Sequence, residues 1–132
     1  MSLATLSGMQ ATAIMLGGAI GALMRFVVST TLTEKLGSSF PYGTLAVNVI
    51  GSFIMGILAM WLVEKVGLDP IWRMAIFVGF LGAFTTFSTF SMETLNLFEQ
   101  GFPFRAFVNM FVNVSLSVLA VWLGVLAGKS IG

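Results

Sequence analysis

Hydroxyl side chains are concentrated in one apolar stretch of the chain and are its most distinctive chemical feature. Five serine and threonine residues fall within seven positions, preceded by Gly79 and Gly82. Such residues hydrogen-bond to nearby backbone groups and weaken a helix. The pattern predicts a helix interruption around residues 82–86, although a continuous helix whose hydroxyls bond to its own carbonyls fits the same residues. The five are Thr85, Thr86, Ser88, Thr89 and Ser91.

Two phenylalanines lie among these hydroxyls. Phe87 and Phe90 are three positions apart, so they project from one face of a helix. This spacing is typical of packing or lipid contact. A phenyl ring also has an electropositive edge, which attracts an anion without the strong hold of a full charge. Together with neutral hydrogen-bond donors, the two rings favour an anion path, because conduction needs weak contacts that replace water and still release the ion.

Four-residue spacing places three polar side chains on one face of a helix at two other places in the chain. In apolar surroundings, such stripes either hydrogen-bond helices to one another or line a narrow wet path. The sequence leaves both uses open. The two stripes are Thr44, Asn48 and Ser52, and Asn109, Asn113 and Ser117.

The composition places these residues in a membrane protein. Of 132 residues, 58% are hydrophobic and 8% are charged, and the mean hydropathy is +1.03. About 20 apolar residues in a helix cross the hydrocarbon core. The chain is predicted to be an all-α integral membrane protein with one four-helix transmembrane domain, residues 1–132, and a third helix broken near mid-membrane. The predicted spans are about 5–32, 44–63, 71–98 and 104–127.

Several function classes are excluded by what the sequence lacks. It contains no cysteine and no histidine, which removes disulfides, thiolate chemistry and the commonest metal ligand and general base. A net charge of +1 without a basic cluster argues against a nucleic-acid partner. No nucleophile–base pair is evident, so the chain is predicted not to be an enzyme. The first apolar run lacks a basic start and is predicted to be a retained span.

The positive charges are divided evenly between the two ends of the predicted bundle. Membrane orientation is set by an imbalance of lysine and arginine in short loops, and here three residues face three. We therefore predict that the chain inserts both ways and assembles as an antiparallel, dual-topology homodimer. The two sets are Lys65, Arg73 and Lys129 on one side, and Arg25, Lys35 and Arg105 on the other.

Three motifs, which together cover nearly the whole chain, resemble the Fluc (CrcB-like) family of fluoride channels. The resemblance implies a dual-topology homodimer with two fluoride pores in the cell (inner/plasma) membrane. It also implies passive fluoride export that gives resistance to fluoride toxicity. The motifs are Gly17-Gly-x-x-Gly-Ala-x-x-Arg-Phe26, Phe40-Pro-Tyr-Gly-Thr-x-x-Val-Asn-x-x-Gly51 and Gly79-Phe-x-Gly-x-x-Thr-Thr-Phe-Ser-Thr-Phe-Ser-x-Glu93.

The resemblance also implies roles for individual residues. Phe87 and Phe90 would contribute ring edges to the pores, and Asn48 would be the second-helix asparagine of the family. A structural sodium ion at the dimer interface would be held by backbone oxygens of Gly82 and Thr85. In the last helix the assignment rests on spacing, and an asparagine replaces the more familiar tyrosine at its first position. The remaining predicted pore residues are Thr44, Thr86, Ser88, Thr89, Asn109, Asn113 and Ser117.

Glu93 and Arg25 are charged residues within the predicted spans, and two functions other than a fluoride channel are also considered. Glu93 matches the third motif and is predicted to belong to a polar track, protonated or paired, or else to be a structural anchor. Arg25 either draws anions into a vestibule or contacts a headgroup or a carboxylate. The alternative function is a small dual-topology proton-coupled multidrug or cation exporter, but residues 1–24 contain no acid to bind its cation. A non-transporting assembly subunit is the third hypothesis.

Overall fold

Four long apolar helical segments form the fold in the computed structural model, which describes residues 3–132. Each is long and apolar enough to cross a membrane, as the composition predicts. A short 3₁₀ turn, Leu3–Thr5, precedes the first. The helices are α1 (Gly8–Leu36), α2 (Tyr42–Val66), α3 (70–84), α4 (Ser88–Glu99) and α5 (Pro103–Ser130), of which α3 and α4 together form the third segment.

Side-chain caps determine where two of the helices begin. The Ser7 hydroxyl accepts from the backbone N–H of Gln10 at 3.1 Å, and the backbone N–H of Ser7 donates to Gln10 Oε1 at 3.0 Å. This reciprocal capping box satisfies two N–H groups that a helix start leaves free, so α1 begins at Gly8. The Asp69 carboxylate caps α3 through a single bond, accepting from the backbone N–H of Ile71 at 2.9 Å.

The first helix is longer at its C-terminal end than the sequence analysis predicts. It continues to Leu36, and Gly37 then adopts a φ of +86°, which only glycine adopts readily. Arg25 was expected near the end of a helix that stops at about residue 32. Because the helix extends further, Arg25 lies about three turns inside its end. Its side chain therefore meets other helices.

The third segment is not helical throughout. Helix α3 ends at Phe84, Thr85 has extended backbone with φ −87° and ψ +161°, and α4 starts at Ser88. We call residues 85–87 the 85–87 link. Within α3 and the end of α2, residues Met74–Leu81 and Ala59–Val66 form wider π-type turns, in which the hydrogen bond spans five residues.

Close helix contacts are made at glycines. A Cβ atom on Gly124 would lie 3.1 Å from the Cα of Gly56, so α5 and α2 meet backbone to backbone. On the other side of the molecule, Gly17 and Gly21 of α1 adjoin the backbone of Phe80 in α3. Small residues allow such approach in lipid, where dispersion contacts stabilise helix pairs. These glycines therefore pack helices within one chain.

Contacts between helix ends show an alternating up-and-down arrangement. Lys65, near the end of α2, donates through Nζ to the carbonyl oxygens of Lys129 and Ile131, the latter at 2.7 Å, at the end of α5. At the opposite end, Arg105 Nη1 lies 3.5 Å from the carbonyl oxygen of Ser39, in the connection before α2. Lys65 and Arg105 therefore lie at opposite ends of the helices.

Replacing Gly124 by alanine should destabilise the folded protein by about 1–3 kcal/mol, the usual range for overpacking. The added methyl would meet the carbonyl of Phe53 and lie 3.0 Å from the backbone nitrogen of Ile57, neither of which can move independently. Gly18→Ala is the matched control, because its methyl would meet only the Gly79 oxygen at 3.8 Å. Thermal unfolding of both variants in detergent measures the difference; equal midpoints would contradict the packing account.

Candidate functional site

A groove of about 670 Å³ lies beside the 85–87 link, between α2, the third segment and α5. No charged side chain lines it among residues 3–132. Its polar groups are hydroxyls and amides, and the rest of its wall is aliphatic or aromatic. The polar side chains that line it are Asn48, Ser52, Thr85, Thr86, Asn113 and Ser117.

The Asn48 side chain pairs with the backbone of the link. The Thr86 N–H donates to Asn48 Oδ1 at 2.8 Å, and Asn48 Nδ2 donates to the Thr86 carbonyl at 3.1 Å. In a continuous helix the Thr86 N–H would donate to the carbonyl of Gly82. The carboxamide of α2 therefore replaces the bonds that the helix loses at this point.

Arg25 satisfies another backbone group next to the link. Its Nε donates to the carbonyl oxygen of Ala83 at 2.9 Å, from a half-buried position on α1. The last carbonyls of a helix have no N–H partner within it, and a cation near that end also interacts favourably with the helix dipole. Arg25 thus caps α3 through a backbone carbonyl, a contact that the sequence analysis did not anticipate.

A chain of hydrogen bonds leads from Asn48 into the protein. Asn48 Nδ2 donates to Asn113 Oδ1 at 3.0 Å, and Asn113 Nδ2 donates to both the backbone and side-chain oxygens of Asn109 at 2.9 Å. Asn109 Nδ2 then donates to the Thr94 hydroxyl at 2.9 Å, which donates to the Phe90 carbonyl at 2.8 Å. We call these four side chains, Asn48, Asn113, Asn109 and Thr94, the amide relay.

The two motif phenylalanines contact each other at the groove. Their ring centroids are 5.4 Å apart and the planes are inclined by 58°, a tilted arrangement. Phe90 is 8% exposed, whereas Phe87 is 77% exposed on the single chain. Phe87 therefore stands on the open side of the groove, while Phe90 belongs to its wall.

Two buried polar atoms near this region have no hydrogen-bond partner in the described part of the chain. They are Ser117 Oγ and Glu93 Oε1. Ser117 lines the groove one helical turn beyond Asn113, and its buried hydroxyl is not used by another described residue. Glu93 lies on α4 beside the buried Thr44 of α2 and is outside the groove lining.

The backbone oxygens of Gly82 and Thr85 are left without helical partners. The Thr86 N–H that would bond to Gly82 is taken by Asn48, and the Thr89 N–H donates to Thr86 Oγ1 at 3.2 Å instead of to the Thr85 carbonyl. Gly82 is exposed and Thr85 half-buried, and both line the groove. Free carbonyls of this kind suit a hard cation such as Na⁺.

The predicted pore residues therefore separate into two groups. One group meets in the groove: Asn48, Thr86, Phe87, Phe90, Asn113 and Ser117. The other does not line it. Thr89 and Ser88 begin α4, Thr44 is 5% exposed beside Glu93, and Asn109, at 1% exposed, lies behind Asn113.

Comparison with known proteins places the chain in a family. The family model "CrcB-like protein, Camphor Resistance (CrcB)" matches residues 12–125. This chain belongs to the CrcB-like family. A relative from Magnetococcus marinus is 48% identical over 123 residues, which is 93% of this chain and 100% of the relative. One from Vibrio vulnificus is 53% identical over 112 residues, 84% of this chain and 88% of the relative.

A third CrcB-like relative, from Methylococcus capsulatus, is 51% identical over 117 residues, or 89% of this chain. The chain spans about half the length of that protein, since the match covers 51% of it. All three relatives are named "Fluoride-specific ion channel FluC". These names describe ion channels, which agrees with the prediction that the chain is not an enzyme.

One member of the amide relay of this CrcB-like chain was missed in the sequence analysis. Thr94 lies outside the dense hydroxyl run, yet it follows Thr86 and Phe90 at four-residue spacing and is 7% exposed. In a continuous helix that spacing places residues on one face, and in the structure Phe90 and Thr94 lie one turn apart on α4 while Thr86 belongs to the 85–87 link. Following the period beyond Ser91 would have identified it.

Replacing Asn48 by leucine should destabilise the protein, because it leaves the N–H and the carbonyl of Thr86 without partners. Each orphaned buried group costs about 1–3 kcal/mol. Ser52→Ala is the matched control on the same face of α2, since Ser52 lines the groove and is not part of the relay. Thermal unfolding in detergent should show a clear loss for Asn48→Leu and little change for Ser52→Ala. Equal losses would refute the assigned pairing.

Proposed function

We propose that this chain is a fluoride-specific channel that gives passive export of fluoride and resistance to its toxicity. The observation that carries the proposal is the groove at the 85–87 link, which combines uncharged donors with phenyl rings and has no charged residue among its described lining. Membership of a family whose relatives are named fluoride-specific ion channels identifies the ion.

The chemistry of the groove suits a small anion that must lose and regain its water. The Ser117 hydroxyl has no partner among the described residues and can donate to an anion. Phe87 and Phe90 offer ring edges, whose partial positive charge attracts an anion weakly. A lysine or arginine would bind the ion more tightly and slow its release, whereas several neutral contacts allow conduction. We assign the pore to this groove.

The complete pore, walled on all sides, is in our proposal formed by an antiparallel homodimer of dual topology. Phe87, Val114 and Val118 line the groove yet are 77%, 60% and 66% exposed on one chain. A groove with its apolar wall open on one side is completed by a second surface. The 85–87 link would then lie near the middle of the membrane as a break in the third span, where unwound backbone is stable only inside protein or beside water.

A structural sodium ion at the dimer interface is part of the same proposal. The carbonyl oxygens of Gly82 and Thr85 are the groups that would hold it, because both are released from helical bonding at the link. Two oxygens from one chain are too few for a cation site, and a two-fold related copy would double them. The ion would supply positive charge that fixes the two links against each other.

The proposed location is the cell (inner/plasma) membrane, with the chain as a multi-pass protein. Three positive side chains lie at one end of the bundle and two at the other. The sixth, Arg25, is held inside by the Ala83 carbonyl. The two ends thus differ by one positive charge, an imbalance too small to set one orientation strongly by the positive-inside rule. This supports insertion in both orientations.

Fluoride efflux from liposomes containing the purified protein tests the function directly. A fluoride electrode should record rapid loss of fluoride from vesicles, whereas vesicles loaded with chloride should retain it. Absence of fluoride flux, or equal flux of the two ions, would refute a fluoride-specific channel.

The ring-edge role is tested by Phe87→Ile and Phe90→Ile, which keep apolar bulk and delete the electropositive edge. We expect the efflux rate to fall at least about tenfold. Such a decrease corresponds to a rise of roughly 1.4 kcal/mol in the barrier to ion passage. Phe111→Ile is the control, because Phe111 is 73% exposed on α5 and does not line the groove. Wild-type efflux in both motif variants would exclude the rings from the path.

Dual topology predicts that the C-terminus is found on both sides of the membrane. A C-terminal reporter active only in the cytoplasm and one active only outside should both give signal with the wild-type chain. Lys129→Gln and Lys35→Gln remove one charge from opposite ends and should bias the two signals in opposite directions. Signal from one reporter alone with the wild-type chain would show a single orientation.

A further inference from the structure

The amide relay fixes which atom of each asparagine faces the groove. At its buried end is the Phe90 carbonyl, which can only accept, so the Thr94 hydroxyl must donate to it. The Thr94 oxygen then accepts from Asn109 Nδ2, and Asn109 Oδ1 accepts from Asn113 Nδ2. Asn113 is therefore held with its amide nitrogen inward and its oxygen toward Asn48.

The other end of the relay is fixed just as firmly. Thr86 offers one donor and one acceptor, and Asn48 matches them with Oδ1 and Nδ2 respectively. The remaining hydrogen of the Asn48 amide donates to Asn113 Oδ1 at 3.0 Å. Each carboxamide has only two N–H hydrogens. Both hydrogens of Asn48, and both of Asn113, are therefore already used within the protein.

This arrangement matters for an anion because an anion can only accept hydrogen bonds. On the groove wall, Asn113 presents an oxygen, which repels an anion, and Asn48 presents an N–H that this oxygen already occupies. We propose that Asn113 Oδ1 is a protein acceptor that fluoride must displace from Asn48 Nδ2. Thr94 and Asn109 are the positioning residues that hold Asn113 in this orientation. The inference rests on the proposed channel function.

The position of the two residues separates this role from direct contact with the ion. Asn109 is 1% exposed and Thr94 is 7% exposed, and neither lines the groove. Their side chains reach the Asn48 donor through Asn113. Weakening them frees the Asn48 donor, so fluoride should bind more readily although no groove residue has changed.

The test is the dependence of the initial efflux rate on fluoride concentration for Thr94→Val in liposomes. This substitution keeps the side-chain shape and deletes the hydroxyl that orients Asn109. The half-saturating fluoride concentration should fall about two- to tenfold, as expected when a competing hydrogen bond is lost. Thr94→Ser restores the hydroxyl and should restore the wild-type value. Thr33→Val is the matched control, because that hydroxyl also bonds its own helix, at the Ser29 carbonyl, but lies outside the relay.

A second variant keeps the inference testable if Thr94→Val folds poorly. Asn113→Ala removes the competing oxygen itself, so it should lower the half-saturating concentration by a similar factor. The double variant should show no further decrease, since both changes act on one bond. An unchanged half-saturating concentration with reduced maximal rate would show a purely structural role and overturn the inference. An increase would show that Asn113 supplies a donor, which also overturns it. If the unmodified protein itself gave no fluoride efflux, the channel function would be refuted instead.

Discussion

The pairing of the Asn48 side chain with the backbone of Thr86 is the interaction on which the rest of the structure depends. Unpaired N–H and carbonyl groups cost several kcal/mol in hydrocarbon, so an extended residue inside a membrane-spanning segment needs partners from elsewhere in the protein. Asn48 supplies both a donor and an acceptor at 3.1 and 2.8 Å, and Arg25 supplies a further donor at Ala83. Helices α1 and α2 thus make the 85–87 link stable, and the link in turn releases the carbonyl oxygens and the Ser/Thr groups from which the groove is built.

Such pairing requires helix α2 to approach the link closely, and the glycines make this approach possible. A Cβ atom on Gly51, one turn from Asn48, would meet the methyl group of Thr85 and lie 3.2 Å from the Phe84 ring. Any larger residue would push Asn48 away from Thr86. Gly56 and Gly124 likewise allow close packing, in their case of α5 against α2. This packing brings Asn113 Oδ1 within 3.0 Å of Asn48 Nδ2. The polar network is therefore a consequence of packing between small residues, and the two kinds of motif in the sequence describe one arrangement.

Periodicity and composition were enough to predict the four helical segments, because apolar runs of this length have few other folds available to them. They also indicated Asn48 and Asn113, which stand on polar stripes. Contacts between distant parts of the chain could not be read in the same way. That Arg25 meets Ala83 depends on how α1 crosses α3, and the crossing is set by Gly17 and Gly21 against Phe80, a packing detail that no local pattern contains. Likewise, the four-residue stripe places Asn109 and Asn113 on one face, but only the tertiary structure shows that Asn109 is buried behind Asn113 rather than beside it in the groove.

A relay of neutral groups anchored at both ends by backbone has a property that a charged site lacks. Its dipoles are oriented before any ion arrives, and one of them, at Asn113 Oδ1, already accepts from Asn48 Nδ2 and competes with an anion for that donor. Yet each contact is weak enough to be exchanged for another of similar strength. The relay reaches the groove at Asn48 and Asn113, the point at which one protein–protein hydrogen bond can be exchanged for a protein–ion bond without leaving any buried donor unpaired. Because the number of satisfied donors stays constant through that exchange, the proposed site could take up and release an ion at a low energetic cost, which is the condition that conduction imposes on a binding site.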